Sequence, residues 1–209
     1  MLGAMDAADW DRRYSDTALV WGVAPNALIA DILAPLPPGR ALDLACGEGR
    51  HALWLAARGW DVVGVEQSGV AVARARALAA AHTPPLEGRA VFEHADLLTW
   101  GAAPGSADLV LIAFLHMPAP ERARIIAASW SALAPYGRLL VVGHDARNLD
   151  HGTGGPSDPA LLYTADDLQV DLAAAALREC TILRAGEHHR TAASGGRAID
   201  AVLYAIKAG

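Results

Sequence analysis

Short apolar runs alternate along the chain with segments whose apolar residues recur at helical spacing. The runs RALDLAC, WDVVGVEQ, AVFEHAD, ADLVLIAF and GRLLVVGHD are typical of buried strands. Between them lie HALWLAAR, an alanine-rich segment that ends near Ala81, and a segment with Ile125, Ile126 and Trp130 on one face, all typical of helices. Strands that alternate with helices predict a parallel sheet with helices on both faces.

Capping and turn residues mark the ends of these elements. Asn26 begins a helix that stops at PLPPG, Ser68 caps the alanine-rich helix, and Thr164 caps a helix that runs to about Ala176. After it, TILRA and AIDAVLYAI alternate in polarity and are joined by a glycine-rich loop that includes His188 and His189. They predict an antiparallel C-terminal hairpin on an otherwise parallel sheet, seven strands in all.

Composition narrows the class of protein. The chain has 209 residues, of which 53% are hydrophobic, and a formal charge of −6. This length and apolar content suit a single domain over residues 1–209. Acidic and basic residues are interspersed without a basic stripe, the N-terminus has no signal-peptide pattern, and two cysteines form no metal or disulfide pattern. We expect a cytoplasmic monomer or homodimer that acts on a small molecule and binds neither nucleic acid nor a membrane.

A glycine-rich turn, GEGRHA (47–52), follows the first strand. Ligands of open α/β sheets bind at the carboxyl ends of the strands, and glycines there allow tight bending and close approach of a ligand. The turn matches the dinucleotide fingerprint G-x-G-x-x-G/A, and Glu66 closes the second strand where such folds carry an acid for a ribose. A nicotinamide-dependent oxidoreductase and a purely structural turn both fit this pattern.

Three features favour another nucleoside ligand. Asp43 lies inside the first strand, where dinucleotide-binding folds usually keep an apolar residue and where a buried acid needs a partner. Asp96 and Leu97 follow the third strand at the same edge of the predicted sheet, and the acid is an acceptor for a purine amino group. The antiparallel terminal pair is unexpected in a nicotinamide-binding domain.

The stretch ALDLACGEGRHALWLAARGWDVVGVEQS closely resembles the glycine loop and second strand of class I S-adenosylmethionine-dependent methyltransferases. WDRRY and WGVAPN near the N-terminus resemble the small-molecule subgroup that includes tellurite-resistance and thiopurine-type enzymes. The resemblance implies a Rossmann-like, doubly wound fold with a helical lid over residues 1–35 and a core over 40–209. It also implies S-adenosylmethionine as the cofactor and S-adenosylhomocysteine as the product.

The resemblance assigns site residues by position. Asp43, Ala45, Gly47 and Gly49 match the loop that holds the methionine part of the cofactor. Glu66 matches the acid that binds the ribose hydroxyls. The remaining implied cofactor residues are Gln67, Asp96 and Leu97 at the adenine, Phe114 on the methionine side, and the lid aromatics Trp10, Tyr14 and Trp21.

Histidines cluster after the fourth and fifth strands. His116 and His144 lie at adjacent strand ends, Asp145 follows His144, and imidazole is suited to proton abstraction near neutral pH. An alcohol needs such a base, whereas a thiolate does not. The polar stretch HDARNLDHGTGGPSDP suits a polyhydroxylated acceptor. We therefore expect an O-methyltransferase acting on a small polar molecule such as a sugar, with His144, His116 or Asp145 in the catalytic step.

Other interpretations of the sequence also stay open. A thiol, thiopurine or metalloid methyltransferase would need no base, a nicotinamide oxidoreductase would bind NAD, and a non-catalytic domain would bind cofactor without turnover. A divalent cation such as magnesium is also conceivable, although its candidate ligands have no tight spacing. They are His144, Asp145, Asn148, Asp150 and His151. Arg147, Arg190 and Arg197 would suit an acidic acceptor.

Overall fold

Strands and helices follow one another in the order that the hydrophobic pattern predicts. The computed structural model describes residues 6–176, 180–192 and 195–209. The strands are β1 (Arg40–Leu44), β2 (Asp61–Glu66), β3 (Arg89–His94), β4 (Ala107–Ala113), β5 (Leu133–His144), β6 (Cys180–Thr191) and β7 (Arg197–Lys207). The helices are α1 (Ala7–Asp16), α2 (Ala27–Leu33), α3 (Arg50–Ala56), α4 (Gly69–Ala80), α5 (Ala119–Ala132), α6 (Asn148–His151) and α7 (Ala165–Ala176).

The seven strands form a sheet in the order β3-β2-β1-β4-β5-β7-β6. The pairs β1–β2, β2–β3 and β4–β5 are parallel, whereas β7 pairs antiparallel with both β5 and β6. This arrangement confirms the predicted fold class, a Rossmann-like, mostly parallel sheet with an antiparallel C-terminal hairpin. Within the parts of the chain that the structure describes, no helix combines the length and apolar character needed to cross a membrane.

Internal contacts group the chain into two compact units, which we call the N-terminal unit (5–100) and the C-terminal unit (101–209). The single domain with a lid over 1–35 and a core over 40–209 stays a prediction. In the N-terminal unit, α2, α3 and the strands bury Ile29, Leu33, Leu55 and Val65. In the C-terminal unit the core comes mainly from β4, β5, β7 and α7, with continuous apolar runs typical of strands covered on both faces.

Side-chain caps define several helix ends as the sequence predicts. Asn26 accepts a hydrogen bond from the backbone N–H of Ile29, and Ser68 accepts one from that of Ala71. These caps satisfy N–H groups that the first helical turn leaves without an internal partner. The helices α2 and α4 therefore begin at the residues that the sequence predicts.

The C-terminal hairpin differs from the prediction. The strand β6 extends to Thr191, so His188 and His189 are strand residues paired opposite Asp200 and Ile199 rather than loop residues. Residues 186–191, GEHHRT, contain no apolar side chain, so this half of β6 has no hydrophobic pattern from which a strand could be predicted. The polar stretch after β5, expected to be a loop, contains the short helix α6.

The buried imidazole of His51 makes a pH-dependent contribution to stability. Its Nε2 accepts a hydrogen bond from the Asn26 N–H at 3.2 Å, and burial lowers its pKa to about 3. The unfolded chain, with a pKa near 6.5, binds more protons than the folded chain between these two values. The stabilising contribution is therefore complete above pH 6.5 and decreases as the pH falls.

We expect the wild-type chain to lose more stability between pH 7 and pH 5 than His51→Gln, by about 2 kcal/mol. Urea unfolding followed by circular dichroism at both pH values measures the difference. Parallel pH dependence in the two proteins would show that His51 is not held neutral by the fold.

Candidate functional site

The turn between β1 and α3 is built from left-handed backbone. Ala45, Gly47 and Gly49 have φ values of 58°, 55° and 82°. Such values cost a residue with a Cβ about 1–2 kcal/mol and cost glycine almost nothing. Gly49 is the N-cap of α3, so the turn leads directly into the N–H groups of that helix. The predicted glycine turn therefore lies at the carboxyl end of β1.

Two buried carboxylates hold this turn in place. Glu66, at the end of β2, accepts hydrogen bonds from the Gly47 N–H at 3.0 Å and from the Ser68 N–H at 2.9 Å. Asp43 accepts one from the Ala52 N–H at 3.0 Å through Oδ2. Burial raises the pKa of Glu66, and the bonds from Ser68 and Gly47 oppose that shift. Backbone N–H groups thus stabilise the acids that the sequence predicts at this site.

The second oxygen of Asp43 has an unsatisfied hydrogen-bonding capacity. Asp43 is fully buried, and its Oδ1 has no hydrogen-bond partner among the residues described. Burial raises the pKa of Asp43 to about 7, with the bond from Ala52 and the charge of Arg50 acting in the opposite direction. A buried acceptor without a partner is costly, and a donor from a ligand would relieve that cost.

The protein's own side chains occupy the space that the missing Cβ atoms leave. A Cβ on Gly49 would lie 2.7 Å from the ring of Phe92, and one on Gly47 would lie 2.7 Å from the Tyr14 hydroxyl. Phe92 is a buried residue of β3 and has little freedom to move. Tight bending and ligand approach were the reasons expected for both glycines, and packing against Phe92 is a further reason at Gly49.

The predicted lid aromatics lie next to the turn. The Trp21 indole donates a hydrogen bond to the Tyr14 hydroxyl at 3.2 Å, and the ring centres of Trp10 and Tyr14 are 5.7 Å apart. The Arg13 guanidinium lies 5.6 Å from the Trp10 ring centre and 5.1 Å from that of Trp21. Tyr14 is buried, whereas Trp21 remains exposed over 44% of its surface. This cluster therefore covers Gly47.

The predicted adenine-side residues are more open. Asp96 is exposed, and its Oδ1 accepts a hydrogen bond from the Leu98 N–H. Leu97 and Gln67 are half-buried, and the carbonyl of Gln67 is bonded to the His94 ring at 3.0 Å. These contacts fix the loops after β2 and β3, and Asp96 retains an accessible carboxylate.

The C-terminal unit contains the candidate catalytic histidines. The rings of His116 and His144 stack with centres 5.4 Å apart, and Phe114 lies 5.3 Å from His144. Phe114 also has a left-handed backbone, with φ of 59°. The Arg190 guanidinium lies 5.4 Å from the centre of the Phe114 ring. These aromatic contacts hold the His144 ring in one orientation.

The contacts of His116 give it a structural role. Its Nε2 accepts a hydrogen bond from the His144 N–H, and its Nδ1 is bonded to the Leu161 carbonyl, each at 3.3 Å. A carbonyl requires a donor, so Nδ1 carries the proton and the imidazole is neutral. Burial lowers the pKa of His116 to about 3. Because both nitrogens are used within the fold, His116 is a poor candidate for the base.

Asp200, which the sequence analysis did not select, is the acidic neighbour of His144. Its Oδ1 lies 3.5 Å from His144 Nδ1, a distance too long for a well-formed hydrogen bond. The same carboxylate receives two hydrogen bonds from Arg190, at 2.5 and 3.2 Å. The pKa of His144 is lowered by burial, raised by Asp200 and lowered again by Arg190. A lone acid in the apolar run AIDAVLYAI was the available signal.

Asp145 is buried and points its two oxygens into different surroundings. Oδ1 accepts hydrogen bonds from the backbone N–H and the Nε of Arg147, at 2.9 and 3.2 Å. Oδ2 is buried and has no hydrogen-bond partner within the described chain. Arg147 also forms an ion pair with Glu187. The structure therefore pairs Asp145 with Arg147 rather than with His144.

The described residues do not assemble a metal centre. Within residues 6–176, 180–192 and 195–209, no group of three or more His, Cys, Asp or Glu side chains is arranged to hold a metal ion. Of the proposed magnesium ligands, the Asn148 amide bonds to the carbonyls of Thr153 and Gly154, and His151 is exposed. Magnesium remains a sequence-based prediction.

The packing of Phe92 against the turn yields a direct test. Gly49→Ala places a Cβ against Phe92 in addition to adopting an unfavourable φ. Gly22→Ala adopts a similar φ of +71°, but its Cβ would meet nothing described within 4 Å. We expect Gly22→Ala to lower the free energy of unfolding by about 1 kcal/mol. Gly49→Ala should lower it by a further 1–3 kcal/mol, roughly the cost of overpacking.

Urea titration of both variants measures these losses. Equal losses in the two variants would mean that Phe92 does not fill the space beside Gly49.

Comparison with known proteins identifies a methyltransferase domain in part of the chain. Residues 41–137 match the family described as a methyltransferase domain. A chloroplastic tocopherol O-methyltransferase of Arabidopsis thaliana is 32% identical over 114 residues, which cover 54% of this chain and 32% of that protein. The matched region thus spans about a third of the length of that relative.

Solved structures share the fold. An S-adenosylmethionine-dependent methyltransferase from Methanosarcina mazei has a TM-score of 0.71 at 20% identity, covering 88% of this chain and 99% of that one. TehB from Haemophilus influenzae, a tellurite-resistance protein, has a TM-score of 0.70 at 16% identity, covering 96% and 66%. The matched domain and this fold support the expected resemblance: residues 41–137 match a methyltransferase domain, and the chain has the fold of S-adenosylmethionine-dependent methyltransferases.

Proposed function

We propose that this protein is an O-methyltransferase that transfers a methyl group from S-adenosylmethionine to a hydroxyl of a small polar molecule, with His144 as the general base. The observation that carries the proposal is the pair of the half-buried His144 and the fully buried Asp200, in which the imidazole Nδ1 lies 3.5 Å from the carboxylate. Hydroxyl acceptors are the class that gains most from a positioned base.

The N-terminal unit contains three carboxylates that fit the hydrogen-bond donors of the cofactor. The buried, unpartnered Oδ1 of Asp43 next to the turn fits an ammonium or N–H donor of the methionine part. Glu66 fits the ribose hydroxyls, provided that it exchanges its bond from Gly47 or Ser68. Asp96 keeps an accessible carboxylate for a purine amino group. When bound, S-adenosylmethionine supplies an activated methyl group, so the chain mainly has to orient and activate the acceptor.

The charges around His144 suit a base that is neutral before the reaction. Burial and Arg190 keep the pKa of His144 below its ordinary value, so the ring accepts a proton at neutral pH. With Nδ1 facing Asp200, Nε2 is the nitrogen available to an acceptor hydroxyl. Once His144 is protonated, Asp200 stabilises the imidazolium, and the 3.5 Å separation shortens to a hydrogen bond.

The arginines near the histidines favour a neutral acceptor over an acidic one. Arg190 is bonded to Asp200, Arg147 to Asp145 and Glu187, and Arg197 to His189. Each guanidinium thus has a partner within the C-terminal unit. The polar segment after β5 offers hydroxyl, amide and backbone groups that suit a polyhydroxylated molecule such as a sugar.

A methyltransferase for thiols or metalloids is the second candidate. The likeness to TehB favours it, because the fold match covers 96% of this chain. A soft anionic nucleophile needs no proton removal. In that case His144 would line the acceptor site without acting as a base.

His144→Ala separates the two candidates. With tritiated S-adenosylmethionine and a panel of sugars, phenols and thiols, with and without chelator, we expect hydroxyl methylation to fall by roughly 10²–10⁴-fold. The affinity for S-adenosylhomocysteine should stay within about twofold. The rate of the wild-type enzyme should rise with pH through a pKa below 6.5 and remain constant above it, because His144 must be neutral.

His82→Ala is the matched control, since His82 lies just after α4 and belongs to none of the candidate sites. It should retain the wild-type rate. If His144→Ala were as active as His82→Ala and only thiols were methylated, the second candidate would replace the first.

A further inference from the structure

Glu48, the residue between the two glycines of the turn, is buried although the turn pattern allows any side chain there. It is 3% exposed. Its Oε2 accepts a hydrogen bond from the Val20 N–H at 2.9 Å, and its Oε1 accepts one from Arg74 at 3.0 Å. A buried carboxylate is retained only when its partners offset its lost hydration. Glu48 is therefore fixed to two elements outside its own turn.

Arg74 connects Glu48 back to the N-terminal segment. The same Nη1 that bonds Glu48 also donates to the Thr17 carbonyl at 2.5 Å. Arg50 donates to the Trp21 carbonyl at 3.3 Å. The segment 17–21, which we call the clasp segment, is thus bonded through its backbone to the turn, to α3 and to α4. Backbone contacts of this kind do not depend on the identity of the clasp side chains.

Trp21, the last residue of the clasp segment, belongs to the aromatic cluster beside the turn. Trp21 donates to the Tyr14 hydroxyl, which lies over Gly47. Asp11 of α1 separately accepts hydrogen bonds from the Ser68 hydroxyl and the Val70 N–H at the start of α4. The α1 helix therefore has its own anchor, and Glu48 acts on the segment that follows it.

We propose that Glu48 is a positioning residue that fastens residues 17–21 across the glycine turn and so slows the departure of the cofactor. This inference rests on the proposed binding of S-adenosylmethionine at that turn. For the cofactor to enter or leave past Tyr14 and Trp21, the clasp segment must release Val20 from Glu48. The hydrogen-bonded carboxylate thus sets the opening rate without touching the methyl group.

Surface plasmon resonance with S-adenosylhomocysteine and immobilised protein tests this role. Glu48→Ala should raise the dissociation rate constant by about tenfold or more, since two charge-assisted bonds are lost. Glu48→Gln, which keeps an acceptor for Val20, should give a smaller increase. The association rate constant should rise with it, because entry passes the same segment, so that the affinity changes less than either rate constant. General destabilisation would instead lower the affinity. Glu87→Ala, at an exposed glutamate of the same unit, is the matched control.

Hydrogen exchange in the cofactor-free protein gives an independent readout. The Val20 amide and the peptide over residues 17–21 should exchange faster in Glu48→Ala than in Glu87→Ala, because Val20 loses its acceptor. If Glu48→Ala fails to fold, Arg74→Met removes the other half of the clasp and should have the same direction of effect on both readouts.

The outcomes are distinguishable. Failure of the wild-type protein to bind S-adenosylhomocysteine would overturn the proposed function, and exchange would still test the clasp. If the wild-type protein binds but a folded Glu48→Ala variant keeps its dissociation rate and its exchange pattern, the role of Glu48 is wrong.

Discussion

The buried carboxylate of Glu66 determines the geometry of the candidate cofactor site. It accepts backbone hydrogen bonds from Gly47 in the turn after β1 and from Ser68 at the start of α4. One side chain at the end of β2 therefore binds both the connection from β1 to α3 and the connection from β2 to α4. Backbone donors rather than a cation stabilise the charged acid, and the effect of burial outweighs theirs, so the pKa of Glu66 is raised. A ligand hydroxyl could replace either donor without leaving the acid unpaired.

Each unit contains its own cluster of candidate residues. The N-terminal unit contains the buried acids Asp43 and Glu66 and an aromatic cluster over Gly47, and the C-terminal unit contains the pair of His144 and Asp200. Within the latter, β5 and β7 pair in register so that His144 lies opposite Asp200. The antiparallel terminal strand thus does more than complete the sheet, because it places a buried acid opposite His144, the proposed base.

The strands, the helix caps and the glycine turn could be predicted from the sequence, because each depends on residues that lie close together in the chain. Asn26 and Ser68 cap as expected, and Asp43 and Glu66 lie at the turn. The environment of His116 was not predictable, since the Leu161 carbonyl that orients its ring is 45 positions away in sequence. Asp200 was not predicted for the same reason. Its partners, His144 and Arg190, lie on other strands, β5 and β6.

Calorimetric titration with S-adenosylhomocysteine is the most direct test of the central claim, that the acids around the glycine turn bind a sulfonium nucleoside. The account predicts one binding site in the wild-type protein, no binding of NAD, and an affinity weakened by about tenfold or more in Glu66→Gln that remains folded by circular dichroism. No heat of binding with the wild-type protein, or unchanged affinity in the folded variant, would contradict it.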